Sequence, residues 1–511
     1  MQHTAVSTPG SDTADQAGSA VPGSPRQLRH LVAGRWLPGE GGQLLDVSPS
    51  RPDQVVAAGR EALTADLDRA VEAARAVFPR WAATPHQARG AVLVRAAGVL
   101  EERAEQWGAE LSWEEGKTRA EGVGEVRRAA EILRFYAAEA DRPTGEVFAS
   151  PRPGERISVV HRPVGTIGVI TPFNFPIAIP AWKIAPALSY GNTVVWKPAG
   201  LVPLLAMRLA EALVEAGLPD GVLSLLIGGG ELGGELVSHP GVEAVTFTGS
   251  TAVGRSVIAR CGALARPVQT EMGGKNAAAV LSDADLELAA NEVMAGAFRA
   301  TGQKCTATSR LVVAEPVADE FLALLAAKVS ALRVGDPLAD GVQMGPLASV
   351  PARDAVRRAV REGLARTGVG VLAGGDAAYT DEERAVGAYL PPTVLELAGD
   401  DPLWRDELFG PVLAVRRARD DSQALDLVDD SEFGLSAAVF TDNLNAVSAA
   451  VARLDVGVLH VNSETAGADP HVPFGGAKGS GHGPKEQGRA AREFFTRTTT
   501  VYLRGSHGGA L

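Results

Sequence analysis

From Asp66 onward the apolar positions Leu67, Ala70, Val71, Ala74, Val77, Phe78 and Trp81 recur three and four residues apart. That spacing places them on one face and predicts an amphipathic helix laid on a core. The same period runs through residues 92–111 and 123–137. At Val164 the texture changes. Val-Gly-Thr-Ile-Gly-Val-Ile-Thr (164–171) is a short apolar run that ends at a Pro-Phe-Asn-Phe-Pro loop, the pattern of a buried strand. Asn-Thr-Val-Val-Trp-Lys (192–197) reads as a second strand, followed by a helix over 203–216 with Pro at its start and Gly217 just past its end. Residues 222–227 and 244–248 read as two more strands.

Short apolar strands alternating with helices predict a parallel, doubly wound α/β sheet with ligands at the strand C-termini. After Ala289 a second α/β unit follows, with helices near 316–332 and 351–366 and strands near 412–416 and 437–440. Residues 157–161 and the β-branched run 498–503 are strand-like and isolated, so pairing with another subunit is the expectation for both.

Composition narrows the classes. A chain of 511 residues with 45% hydrophobic residues can bury a large core spread over several domains. Lys+Arg 49 against Asp+Glu 61 leaves a net charge of −12, which disfavours nucleic acid and anionic membrane as partners. Two cysteines, Cys261 and Cys305, make no disulfide framework and fit a reducing cytoplasm. No long uncharged apolar run suggests a membrane span. The first 30 residues, rich in Ser, Gly, Pro and Thr, read as a disordered tail.

The candidate chemistry centres on Cys305, in Gly-Gln-Lys-Cys-Thr, a polar small-residue setting that leaves a thiol approachable. Read alone, a lone cysteine is more often a packing residue, and Cys261 keeps that reading. Glu271, in Gln-Thr-Glu-Met-Gly-Gly-Lys-Asn, offers a general base. None of the nine histidines sits in a nucleophile–base context, and neither C-x-x-C nor H-x-x-x-H is present to suggest zinc. The strand–turn–helix Thr246-Phe-Thr-Gly-Ser-Thr-Ala-Val-Gly254 spaces Gly249 and Gly254 as G-x-x-x-x-G. It suits a phosphate at a helix start about as well as it suits an ordinary turn.

Read together and in order, these segments resemble the aldehyde dehydrogenase superfamily from about Gly34 to Tyr502. The carriers are Thr-Pro-Phe-Asn-Phe-Pro (171–176), Gly-Asn-Thr-Val-Val-Trp-Lys-Pro-Ala (191–199), Phe-Thr-Gly-Ser (247–250) and Glu-Met-Gly-Gly-Lys (271–275). Gly-Gln-Lys-Cys (302–305), Glu-Leu-Phe-Gly-Pro (407–411) and Pro-Phe-Gly-Gly-Ala-Lys-Gly-Ser-Gly (473–481) complete the set. Segments 173–187, 302–310, 465–476 and 483–496 look like those of 2-oxoglutarate semialdehyde (2,5-dioxopentanoate) dehydrogenases.

The resemblance implies roles. Cys305 attacks the aldehyde, Asn174 and the Cys305 N–H hold the oxyanion, and Glu271 activates water against the thioester. Such an oxyanion donor is typically worth ~3 kcal/mol. Lys197 and Glu407 would bind the two riboses of NAD or NADP, Phe409 would pack on the nicotinamide, and Gly249, Ser250 and Gly254 would contact the pyrophosphate. Thr171 and Phe173 fall in the coenzyme-lining motif. The implied fold is a Rossmann-type cofactor domain (31–141 and 164–271), an α/β catalytic domain (272–484) and a small β extension (142–163 and 494–505) for a homodimer or homotetramer.

Two departures from the family pattern follow. Gly200 stands where NAD-preferring relatives often carry Glu, and lost repulsion there makes NADP plausible. Arg299 stands where relatives resembling succinate-semialdehyde dehydrogenase clamp a substrate carboxylate. The second arginine of those enzymes aligns with Trp182, which joins Arg299 as a substrate-binding candidate, and the alternative for Arg299 is a position facing solvent or a structural acid. The expected substrate is a carboxylated semialdehyde. Other small or aromatic aldehydes, CoA-acylating chemistry, a retired active site and a cofactor-free thiol esterase stay open as alternatives.

Overall fold

The structure, a computed structural model, describes residues 24–142, 145–376 and 385–504. An eight-stranded sheet is built around Thr166–Ile170, whose five residues are all buried. Thr193–Lys197 and Leu223–Leu225 lie parallel on one side of it, Ala244–Thr248 and Val268–Glu271 on the other. In chain order that is 3-2-1-4-5, so the direction of winding reverses between Thr166–Ile170 and Ala244–Thr248. Connections diverge there and leave a crevice at the strand C-termini. The strands read as unbroken apolar runs because helices cover both faces. Val194, Val195 and Trp196 are fully buried, and burying one such large side chain contributes roughly 1.5–3 kcal/mol.

The second sheet has seven strands, in the order Val369–Ala373, Thr393–Leu397, Val412–Ala418, Thr308–Ala314, Asn276–Val280, Ser436–Phe440 and Val458–Val461. All pairs but the first are parallel. Val268–Glu271 lies in one sheet and Asn276–Val280 in the other, so the chain crosses the seam between them within a few residues of Glu271.

Several expectations are corrected. The tail lies outside the described residues through position 23, but Arg26–Gln27 and His30–Val32 are strands, and His30–Val32 joins the eight-stranded sheet. The strand-like runs 157–161 and 498–503 are both strands of one small sheet, in which Thr496–Arg504, an edge strand, runs antiparallel to Glu155–Pro163 with Gly145–Ala149 on the far side. The run 92–111 is two helices, His86–Glu102 and Ala104–Glu115, broken at Arg103 with neither Gly nor Pro to mark it. Gly481–His482, expected in the catalytic unit, pairs with Val268–Glu271 of the eight-stranded sheet. Among the described residues no helix is long and apolar enough to cross a membrane.

Candidate active site

Lys197 is the last residue of its strand and points into the crevice. It is 9% exposed, and burial pulls its pKa below the usual lysine value while Glu61 pushes the other way. Its ammonium has no hydrogen-bond or ion-pair partner among the described residues. Across the winding switch the helix Thr251–Ala263 starts at the exposed Ser250, whose side chain makes no cap bond. The first helical amides therefore point outward unpaired. Thr248 Oγ1 and Thr251 Oγ1 are buried there without partners among the described residues. Free N–H groups, two orphaned hydroxyls and an unpaired lysine are a polar set that a dinucleotide's pyrophosphate and ribose satisfy.

Not every expected contact is available. The Gly249 N–H donates to the Glu271 carbonyl (3.2 Å). Gly254 sits inside the helix, its N–H donated to the Ser250 carbonyl (2.9 Å), and a Cβ there would lie 2.4 Å from the Met272 sulfur. Gly254 therefore serves close helix–sheet packing and its amide cannot contact a phosphate. Thr171 is 3% exposed, and its hydroxyl accepts from Trp196 Nε1 (2.9 Å), which fixes the strand end.

At the other end of the crevice Glu407 accepts from the Gly274 N–H (2.9 Å), and burial pushes its carboxyl up to about 7. Phe409 follows at φ +53°, a left-handed backbone that is costly for an aromatic residue. Its ring meets Phe173 edge-on at 5.7 Å.

Cys305 is partly exposed, between the helix Leu286–Phe298 and the strand Thr308–Ala314. The approach is bent. Ala300 and Thr301 have φ of 51° and 55°, each costing about 1–2 kcal/mol in left-handed backbone. The turn is held from outside: the Ala300 N–H donates to Glu121 (2.8 Å), Thr301 Oγ1 to the Gly345 carbonyl (3.1 Å), and the Ala348 N–H to Gln303 (2.9 Å). Asn276 Nδ2 donates to the Cys305 carbonyl (2.7 Å). Asn174, 3% exposed, gives one side-chain amide N–H to the Gln303 carbonyl (2.9 Å) while its backbone carbonyl accepts from Lys117. Its second amide N–H has no partner among the described residues. Burial, then Glu271 and Glu407, pushes the thiol up to about 12.

Glu271 is buried, and burial together with nearby Glu486 raises its carboxyl well above the usual range. The Gly476 N–H donates to it (3.0 Å) and partly offsets that rise. Gly475, at φ +151°, must be glycine, because a Cβ would lie 2.4 Å from the carboxylate. Behind it, buried Lys183 is ion-paired with Glu486 and donates to Thr246 Oγ1 (2.9 Å).

Cys305 opens onto a cavity of about 330 Å³. Trp182 lines it, packed at 5.6 Å on Phe474, with its indole N–H unpartnered among the described residues. Arg299 reaches the same cavity, but its side chain is 63% exposed and paired with Glu464 (3.1 Å). The structural acid and the solvent-facing position, both open from sequence, are thus each part of its setting. Lys304 shares Glu464 (3.4 Å), and Lys117 pairs with Glu125 (2.6 Å) inside the wall. Arg128 also lines the cavity and is paired with Glu131 (3.0 Å) and Asp469 (3.3 Å), so each of the four lining cations has a carboxylate partner.

Sequence reasoning missed Lys117, Glu125, Arg128, Lys183, Glu464 and Glu486. One signal was available: Thr118-Arg-Ala-Glu121 is a capping box, which the structure forms, and the second oxygen of Glu121 is the one that holds Ala300.

A reachable thiol, a buried carboxylate whose charge acts on it, and a winding switch lined with unpaired N–H groups describe a dinucleotide-dependent enzyme that works through a covalent cysteine adduct. The chain belongs to the aldehyde dehydrogenase family, whose model matches residues 36–501. It oxidises an aldehyde to a carboxylic acid with NAD or NADP. It is 38% identical over 478 residues to the alpha-ketoglutaric semialdehyde dehydrogenase of Bacillus subtilis (strain 168), covering 93% of this chain and 98% of that protein. It is 39% identical over 476 residues to the 2,5-dioxopentanoate dehydrogenase of Saccharolobus solfataricus, covering 92% and 98%. The solved structure of PnpE in complex with nicotinamide adenine dinucleotide matches with a TM-score of 0.90 at 33% identity, covering 94% of this chain and 99% of that one.

Proposed function

We propose that the chain oxidises a carboxylate-bearing semialdehyde, of the class that includes 2-oxoglutarate semialdehyde, to the corresponding diacid. The observation that carries this is Arg299 on the wall of the cavity leading to Cys305, its guanidinium 63% exposed with donors to spare beside Glu464. The two semialdehyde dehydrogenases above support it.

In this reading the aldehyde carbon meets the Cys305 sulfur. Burial keeps that group a thiol at neutral pH, so its proton leaves as the C–S bond forms. Glu271 accepts it. The free N–H of Asn174 and the backbone N–H of Cys305 hold the developing oxyanion. The nicotinamide ring, when bound, supplies the hydride acceptor. Glu407 and Lys197 hold the riboses, and Phe409 and Phe173 wall the ring. Glu271 then takes a proton from the water that attacks the thioester, and the Cys305 sulfur leaves as the acid is released.

The eight-stranded sheet is the coenzyme domain in this reading, and the seven-stranded sheet carries the thiol. The sheet formed by Thr496–Arg504, Glu155–Pro163 and Gly145–Ala149 is the oligomerisation extension, with Val147, Phe148, Tyr502 and Leu503 exposed for a second copy. The free thiol is consistent with a cytoplasmic setting.

A panel of aldehydes with and without a terminal carboxylate, run on wild type and Arg299→Ala, tests the substrate. The variant should lose about tenfold or more in kcat/KM for acidic aldehydes, the worth of a charge-assisted hydrogen bond, and little for neutral ones. Equal losses on both sets would sink the carboxylate reading.

A further inference from the structure

The crevice has one feature that the family pattern did not lead to. Gly200, which leaves Lys197 without its usual neighbouring carboxylate, lies opposite the Gly228 carbonyl, 3.8 Å from where its Cβ would be. Gly228, Gly229 and Gly230 carry the chain into the helix Gly230–Ser238, and neither Gly229 nor Gly230 has a side chain to fill the space. Lysine, bare backbone and the first amides of a helix would together accept a phosphate on the adenosine ribose. A carboxylate from another part of the chain stands there. Oε1 of Glu61 lies 3.4 Å from where a Gly229 Cβ would be, and Oε2 lies 3.4 Å from the same point on Gly42.

Glu61 is pinned by its backbone. Its N–H donates to the Gly42 carbonyl (2.8 Å), its carbonyl accepts from Gly41 (2.9 Å), and the next residue, Ala62, donates to Ile227 (2.9 Å). Its carboxylate has no hydrogen-bond or ion-pair partner among the described residues, yet its charge reaches Lys197. The negative charge absent at position 200 is therefore restored from the N-terminal strands, beside the start of the Gly230–Ser238 helix.

We infer that Glu61 is a specificity-determining residue that repels a 2′-phosphate, so that the enzyme prefers NAD to NADP. The inference rests on the proposed placement of the adenosine ribose at Lys197. It reverses the expectation drawn from Gly200 alone.

Direct binding titrations test it, using NAD+ against NADP+ and ADP-ribose against 2′-phospho-ADP-ribose, read by intrinsic fluorescence or calorimetry. Wild type should bind the unphosphorylated member of each pair about tenfold tighter or more, the scale of one close like-charge contact at a protein surface. E61Q should narrow the gap to about twofold by tightening the phosphorylated ligands, and E61D, which keeps the charge, should preserve it. Added salt should shrink the wild-type gap. Tighter NADP+ than NAD+ in wild type, or an unchanged gap in E61Q, overturns the role of Glu61. K197A separates the two readings: weakened binding of both dinucleotides supports the ribose placement, whereas wild-type binding of both overturns the placement and the role of Glu61 with it.

Discussion

The two approaches to Cys305 are built from opposite materials. The substrate cavity is made of long charged side chains that hold one another: Arg299 and Lys304 share Glu464, and Lys117 is locked on Glu125. The coenzyme crevice is made largely of what is missing. Gly200, Gly229 and Gly230 leave bare backbone, and the start of the Thr251–Ala263 helix leaves unpaired N–H groups. The first kind of surface can be re-specified one side chain at a time. The second depends on close approach of main chain, so additions disturb it more than deletions do. At Gly273, for instance, a Cβ would lie 2.0 Å from the Glu407 carboxylate.

The difference can be broken most severely at the junction. Cys305→Ala should abolish turnover while leaving NAD+ binding within about twofold, because the thiol is needed only for covalent chemistry. Residual turnover, or lost coenzyme binding, would mean that the two approaches are not separable at this residue. Next in size, Glu271→Gln should slow steady-state turnover by about 10²–10⁴-fold, as expected for loss of a general base. A rapid NAD(P)H burst should remain if thioester hydrolysis becomes the slow step, and a stopped-flow trace without a burst would remove Glu271 from that step.

The smallest effect crosses from one approach to the other. Burial and the charges of Glu271 and Glu407 hold the Cys305 pKa up, so thiolate is scarce at neutral pH and grows as pH rises. Alkylation of Cys305 by iodoacetamide should therefore climb about tenfold per pH unit from 7 to 10 without a plateau. Glu407→Gln removes one negative charge from the coenzyme side, lowers that pKa and should speed alkylation a few-fold at fixed pH. Identical rates would show that the coenzyme-side carboxylate does not act on the thiol.

Legibility in the sequence followed the range of the interactions. Ala244–Thr248 is a strand with the bounds its apolar run predicted, because buried parallel strands announce themselves locally. Cys305, Glu271 and Asn174 were each found within a short motif, and the fold brings all three to the seam between the sheets. Lys183 and Glu486 were not found, since nothing near either position in the chain indicates that they will pair across the core. Gly254 was placed among the cofactor contacts by the family resemblance, but whether a glycine serves ligand or packing depends on Met272, which only the folded chain places beside it. Arg299 was readable as a cation near the thiol, whereas its partner Glu464 comes from a distant loop.

That dependence on distant segments has a temporal side. The residues that finish the surroundings of Glu271 come from the last stretch of the described chain: Gly475 and Gly476 border its carboxylate, Gly481 pairs with it in the sheet, and Glu486 raises its pKa. A nascent chain emerging from the ribosome therefore carries the nucleophile well before it can shape the base. A truncation before Pro473 would also remove Phe474, Phe494 and Phe495 from the buried core, so the base is shaped only when the core itself closes.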